Sequence, residues 1–161
     1  MRIRQDKART AVIFATSEQE GYEAKNVISG VTRREGENSN LWCSDGIGPN
    51  GEQLTLTLAE QASVSQIRLT FDPDLSEERC ITVSKAFIEK QPKGVAKTLV
   101  KDYTVELLSA GQVIAAHSVS ANHQRLNVID LENPVVADAV RVTVHSTNGC
   151  PDARIYEVRI Y

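Results

Sequence analysis

Leucine alternates with threonine over Gln53–Leu58, and valine alternates with polar residues over Ala139–Ser146. Successive side chains of a strand point to opposite faces, so each run predicts a strand buried on one side only. The same period, or a short β-branched run, recurs at Thr10–Ser17, Val64–Phe71, Tyr103–Leu108, Gln112–Val119, Gln124–Leu131 and Arg154–Tyr161. In the last of these, Tyr156, Val158 and Ile160 share one face, and Ile155, Glu157, Arg159 and Tyr161 the other. Turn-forming stretches separate the runs at Pro49–Gly51, Asp72–Asp74, Ser109–Gly111, Glu132–Pro134 and Thr147–Asp152. The Ser109–Gly111 turn predicts a hairpin between its flanking strands.

Helical signals are weak. Tyr22–Gly30 fits one turn stopped by a glycine. The mixed stretch Glu77–Asp102 reads as a strand near Cys80–Ile88 followed by an exposed basic loop around Lys90–Gly94. Many short strands at hairpin spacing, with no strand–helix alternation, predict an all-β antiparallel sandwich of jelly-roll type. No internal repeat appears, and residues 1–161 are read as one domain.

Composition narrows the partners. The chain of 161 residues is 41% hydrophobic and 24% charged, enough to build a core. A net charge of −3 gives no pull toward nucleic acid or an anionic membrane. No run approaches the ~20 apolar residues of a membrane span. The first residues lack the apolar stretch of a signal peptide, and Met1 is the sole methionine; an excised C-terminal piece of a longer chain is expected. Cys43, Cys80 and Cys150 are odd in number and widely spaced, so they read as free, buried thiols rather than a disulfide framework.

Catalytic chemistry finds little purchase. His117, His123 and His145 show no metal-binding spacing, and no GxSxG elbow accompanies them. Cys150 near His145 lacks any evident activation of its thiol. Asp72–Ser76 imitates the start of a calcium loop, but Glu77 and Val83 stand where the glycine and glutamate belong. A GxGxxG dinucleotide fingerprint is absent, so this piece is not expected to bind FAD itself or to be an enzyme.

Three stretches carry a resemblance: Glu23–Arg33 with Asn40–Asp45, Gln66–Leu75, and Ala137–Gly149 with the closing Ala153–Tyr161. Together they resemble the galactose-binding-like domains of the coagulation-factor type C, or discoidin, class. The set is also similar to the C-terminal sandwich of certain bacterial FAD-dependent oxidoreductases. That likeness implies an accessory domain packed on an N-terminal catalytic domain, which would hold the FAD, in a periplasmic or extracellular setting. It implies a structural role for Trp42. It further implies a structural calcium held by loop carbonyls ahead of Trp42 and by the glutamate of the closing strand, matched here by Glu157. Asn26 and Ser29 would supply the remaining oxygens, Ser29 standing where an aspartate is expected. The alternative is that Glu157 accepts hydrogen bonds from the Asn26–Gly30 turn, or pairs with Arg33 or Arg34.

A second function is a carbohydrate-binding module. Sugars stack on loop aromatics, for which Tyr22 and Phe87 are the only candidates. Arg33, Arg34, Asn38, Asn40, Arg125 and Asn148 are the polar candidates, whether for a sugar or for a docking domain.

Overall fold

The computed structural model describes residues 5–74, 86, 89 and 93–161. The strand expected at Cys80–Ile88, with Cys80 and Phe87, lies outside the described residues except for Ala86, which is helical, as is Glu89. Among the described residues, seven strands follow in chain order: β1 (Val12–Ala15), β2 (Trp42–Cys43), β3 (Glu52–Phe71), β4 (Val100–Ser109), β5 (Gln112–Val119), β6 (Leu126–Thr147) and β7 (Arg154–Ile160). Two short 3-10 turns, Lys7–Thr10 and Ala24–Ile28, precede β1 and β2.

All pairings are antiparallel, in the order β2-β7-β3-β6-β4-β5, with β1 on β3. The first half of β3 pairs with β1 and the second half of β6, while its second half pairs with β7 and the first half of β6. Register shifts between Thr57 and Ala62 and between Val64 and Gln66 mark where these two long strands turn the corner. Across that corner the inward parity switches. Leu54, Leu56 and Leu58 face the core before it, and Ile67, Leu69 and Phe71 after it. Both halves therefore bury into one hydrophobic cluster, and the sheet closes on itself as a β-sandwich.

The sequence reading splits β3 and β6 into separate strands and expects a turn at Glu132–Pro134. The structure corrects this. Those residues are strand, bulged out between Asp130 and Val135. Proline is tolerated there because a bulge leaves its missing N–H unneeded by the ladder. The β4–β5 hairpin is as expected, with Ala110 and Gly111 at φ 50° and 76°, the left-handed pair of a tight hairpin turn.

A second correction concerns β7. A register shift pairs Thr70 with Glu157 but Phe71 with Ile155, leaving Tyr156 as the extra residue. Ile155, Val158 and Ile160 consequently enter the main core. Tyr156 turns to a small cluster with Leu41, Cys43 and Tyr22.

Trp42 is fully buried in the main core, and its indole N–H donates to the Ser17 carbonyl at 2.9 Å. A ring so enclosed offers no face to a sugar.

Candidate functional site

The outward face of the second half of β3 carries Gln66, Arg68 and Thr70, and the same face of β7 carries Glu157, Arg159 and, just beyond its end, Tyr161. Pairing places Arg68 opposite Arg159 and Thr70 opposite Glu157. On the other side of β3, Val128 and Leu126 of β6 stand opposite Arg68 and Thr70. Arg125 comes in ahead of Leu126, and the loop after the second 3-10 turn comes in with Thr32. The result is a cleft of about 280 Å³ lined by Thr32, Arg68, Thr70, Arg125, Leu126, Glu157 and Arg159.

Each guanidinium in it is held from behind. Arg68 Nε donates to Gln66 Oε1 at 2.7 Å, and the guanidinium lies 5.3 Å from the Tyr161 ring centre. Arg159 Nε lies 2.8 Å from Glu157 Oε2. This pairing, with the Tyr161 hydroxyl beyond it, drives the Arg159 pKa further upward and keeps the group charged. Arg125 Nη2 donates to the Thr32 carbonyl, while its Nε is buried without a partner.

The calcium ligand set implied by the resemblance does not fit these residues. The Asn26 amide donates to the Leu41 carbonyl at 3.0 Å, and Ser29 Oγ accepts from the Val31 N–H at 3.2 Å. Glu157 pairs with Arg159 and with Arg9, whose Nη2 lies 3.5 Å away. Arg9 also donates through Nη1 to the Ile28 carbonyl at 2.6 Å and pairs through Nε with Asp6 at 3.2 Å. Its guanidinium fills the space beside Gly30, where a Cβ would approach Arg9 Nη1 to 2.5 Å. A fixed cation thus occupies the cradle between the loop carbonyl and the closing-strand carboxylate. Among the described residues, no group of three His, Cys, Asp or Glu side chains is arranged to hold a metal ion.

The other expected residues scatter. Arg125 alone of the polar candidates lines the cleft. Arg33 pairs with Glu35 at 2.9 Å instead of with Glu157, and Arg34 donates to the Gly36 carbonyl; both are exposed. Asn38 bridges to Glu35 in the same exposed loop. Asn40, at φ 56°, donates to the Arg33 carbonyl and shapes the loop. Tyr22 packs against the Leu41–Cys43–Tyr156 cluster. Asn148 spends its amide on the Leu99 and Asn122 carbonyls, a structural role.

A larger open hollow of about 680 Å³ lies at the loop end, between Gly46–Pro49 and His145–Pro151. Several of its polar groups are already engaged: His145 Nε2 lies 2.9 Å from Thr104 Oγ1, and the Thr147 hydroxyl donates to the Cys150 carbonyl. Cys150 is half-buried rather than enclosed; burial pushes its thiol pKa up, which leaves it a poor nucleophile.

Arg9, Arg68, Thr70 and Arg159 are missed by the sequence reading. For Arg68, Thr70 and Arg159 the signal was the alternation itself: polar residues at every second position of Gln66–Thr70 and of Glu157–Tyr161 mark two outward faces; Arg9, in the first 3-10 turn, carries no such signal. What joins the two faces is the β3–β7 pairing, which no local pattern shows.

No protein-family model matches the chain, and no curated protein matches it. Solved structures do. A family 32 carbohydrate-binding module of Streptococcus pneumoniae EndoD is similar at a TM-score of 0.73 and 19% identity, over 98% of this chain and 99% of that one. The lectin domain of lectinolysin, solved with Lewis B antigen, gives 0.72 and 17% over 98% and 96%. The family 32 module of Clostridium perfringens NanJ, solved with galactose, gives 0.66 and 17% over 96% and 95%. At these identities the likeness speaks for architecture: the chain has the galactose-binding-like, discoidin-type β-sandwich fold.

Proposed function

We propose that this domain is a non-catalytic carbohydrate-binding module. The observation that carries the reading is the near-complete overlap with sugar-binding modules, covering 96–98% of the chain. Two features of the chain support it. The arginine cleft is an open, preorganised set of hydrogen-bond donors bordered by exposed apolar side chains, the mixture that seats a sugar ring. The thiols of Cys43 and Cys150 are both pushed upward in pKa by burial, away from nucleophilic use. The accessory role beside a FAD-dependent oxidoreductase rests on sequence resemblance alone, and the three neighbours named above lend it nothing. An extracellular or periplasmic setting belongs to the same glycan-binding reading.

The test is thermal shift and calorimetry against a panel of neutral and acidic mono- and oligosaccharides. Binding to the native state raises its melting temperature, and the rise grows with the logarithm of ligand concentration above the dissociation constant. Specific stabilisation by at least one sugar is expected. A flat response across the panel refutes the reading.

A further inference from the structure

Like charges placed directly opposite one another on paired strands cost stability. Arg68 and Arg159 are so placed, and Arg125 joins them from the start of β6. Among the described residues, Glu157 is the one carboxylate in the cleft lining, and it is shared between Arg159 and Arg9. Asp6 lies behind Arg9. Asp130 sits at the far edge, taken up by Gln66 Nε2 at 2.5 Å. Among the described residues, the guanidiniums of Arg9, Arg68, Arg125 and Arg159 stand against the carboxylates of Glu157, Asp6 and Asp130, on a chain whose net charge is −3. Three guanidiniums of this acidic protein thus line one cleft, Arg68 and Arg159 directly across a strand pair.

The donors are also selective. A guanidinium donates hydrogen bonds and accepts none, and its planar fork matches the paired oxygens of a carboxylate or sulfate. Buried Arg125 Nε has no partner, so the fold does not use all the donors of this guanidinium. Arg68, Arg125 and Arg159 are each braced by a protein group, so little side-chain freedom is lost on binding. Leu126 and Val128, 52% and 45% exposed, offer an apolar strip for the C–H face of a ring. A volume of about 280 Å³ seats one ring and not a folded partner.

We propose, on the basis of the glycan-binding reading, that this cleft takes an acidic sugar. A carboxylate or sulfate sits among Arg68, Arg125 and Arg159, and the ring lies against Leu126.

Calorimetry with sodium glucuronate, sodium galacturonate and galactose 6-sulfate tests this, with glucose and galactose as neutral counterparts and inorganic sulfate as the ion control. At least one acidic sugar should bind where its neutral counterpart does not, and rising ionic strength should weaken it. Arg68→Gln combined with Arg125→Gln should weaken that binding by about tenfold or more. Arg125→Lys, which keeps the charge but loses the fork, should fall between. The carboxylates and the sulfate ester separate the two anion sources. Acidic-sugar binding unchanged in the double variant overturns the assignment. So does inorganic sulfate binding as tightly as any sugar, which would mean an adventitious ion only. Neutral sugars binding while acidic ones do not overturns the assignment and leaves the glycan-binding reading standing; silence from the whole panel removes both.

Discussion

Arg9 and Glu157 lie 148 positions apart in the chain, and their side chains meet at 3.5 Å across the turn ahead of β2. Through the same guanidinium, Arg9 reaches the Ile28 carbonyl and Asp6. One permanently charged side chain therefore ties the beginning of the domain, the second 3-10 turn and the closing strand together.

Calcium should consequently be dispensable. Adding a chelator should leave the melting temperature where it was, and Arg9→Ala should lower stability by about 1 kcal/mol. The figure is small because solvent screens an arginine side chain that is 37% exposed. Calcium-dependent stabilisation of the unaltered protein would sink this account.

Gly30 is coupled to the same contact. Its φ of +87° already favours glycine, and a Cβ there would meet the Arg9 guanidinium. Gly30→Ala should cost more than about 1 kcal/mol. In an Arg9→Ala background the clash is gone and only the backbone strain is left, so the cost should shrink. Equal costs in both backgrounds, read by denaturant titration, would show that the two positions are independent.

Trp42 fills the core beneath the first loop. Trp42→Ala should destabilise by ~3–5 kcal/mol, the usual cost of truncating a large buried aromatic. Chemical unfolding measures it. A variant as stable as the parent would remove the indole from the core account.

Asn122 is buried at a crossing of loops. Its amide N–H groups donate to the Val100 and Gln124 carbonyls, and its Oδ1 accepts from the Gln124 N–H and Asn127 Nδ2. Asn122→Ala strands several of these groups and should cost about 1–3 kcal/mol. An unchanged denaturation midpoint would contradict this.

Alkaline pH should weaken the fold in two steps. Burial pushes the Cys43 thiol up to about 12 and the Tyr103 hydroxyl up to about 12. Both groups are favoured neutral in the folded state. Their contribution is therefore complete below the unfolded pKa values, near 9 and 10, and is lost as pH rises toward 12. Each contributes a slope of up to about 1.4 kcal/mol per pH unit. Tyr103→Phe should flatten the loss above pH 10 while leaving the Cys43 step in place. An identical pH profile for the variant would reject the assignment.

Much of the fold is legible in the chain. The threonine–leucine alternation of Gln53–Leu58 and the valines of Ala139–Ser146 mark strands whose inward residues are all buried, because burial imposes a period of two on any one-sided strand. The glycine at 111 marks a tight hairpin because it accepts the left-handed backbone. Even so, local reading cuts β3 and β6 in two. Turn residues at a bulge look the same as turn residues in a loop, and only the pairing partner tells them apart.

The site was a different matter. Asn40 and Asn148 carry the residue types of a binding loop, yet the folded chain spends both amides on its own backbone. Tyr156 changes face because of one bulge that its neighbours in sequence do not announce. By itself the sequence determined strand periodicity and the class of fold, since the period depends on neighbours one or two residues away. Tertiary structure alone decided that Arg68 and Arg159 stand opposite each other, with Arg125 beside them and Arg9 behind Glu157. Such meetings depend on strand register and on loops closing over scores of residues, and the energies that set them are summed over the whole core.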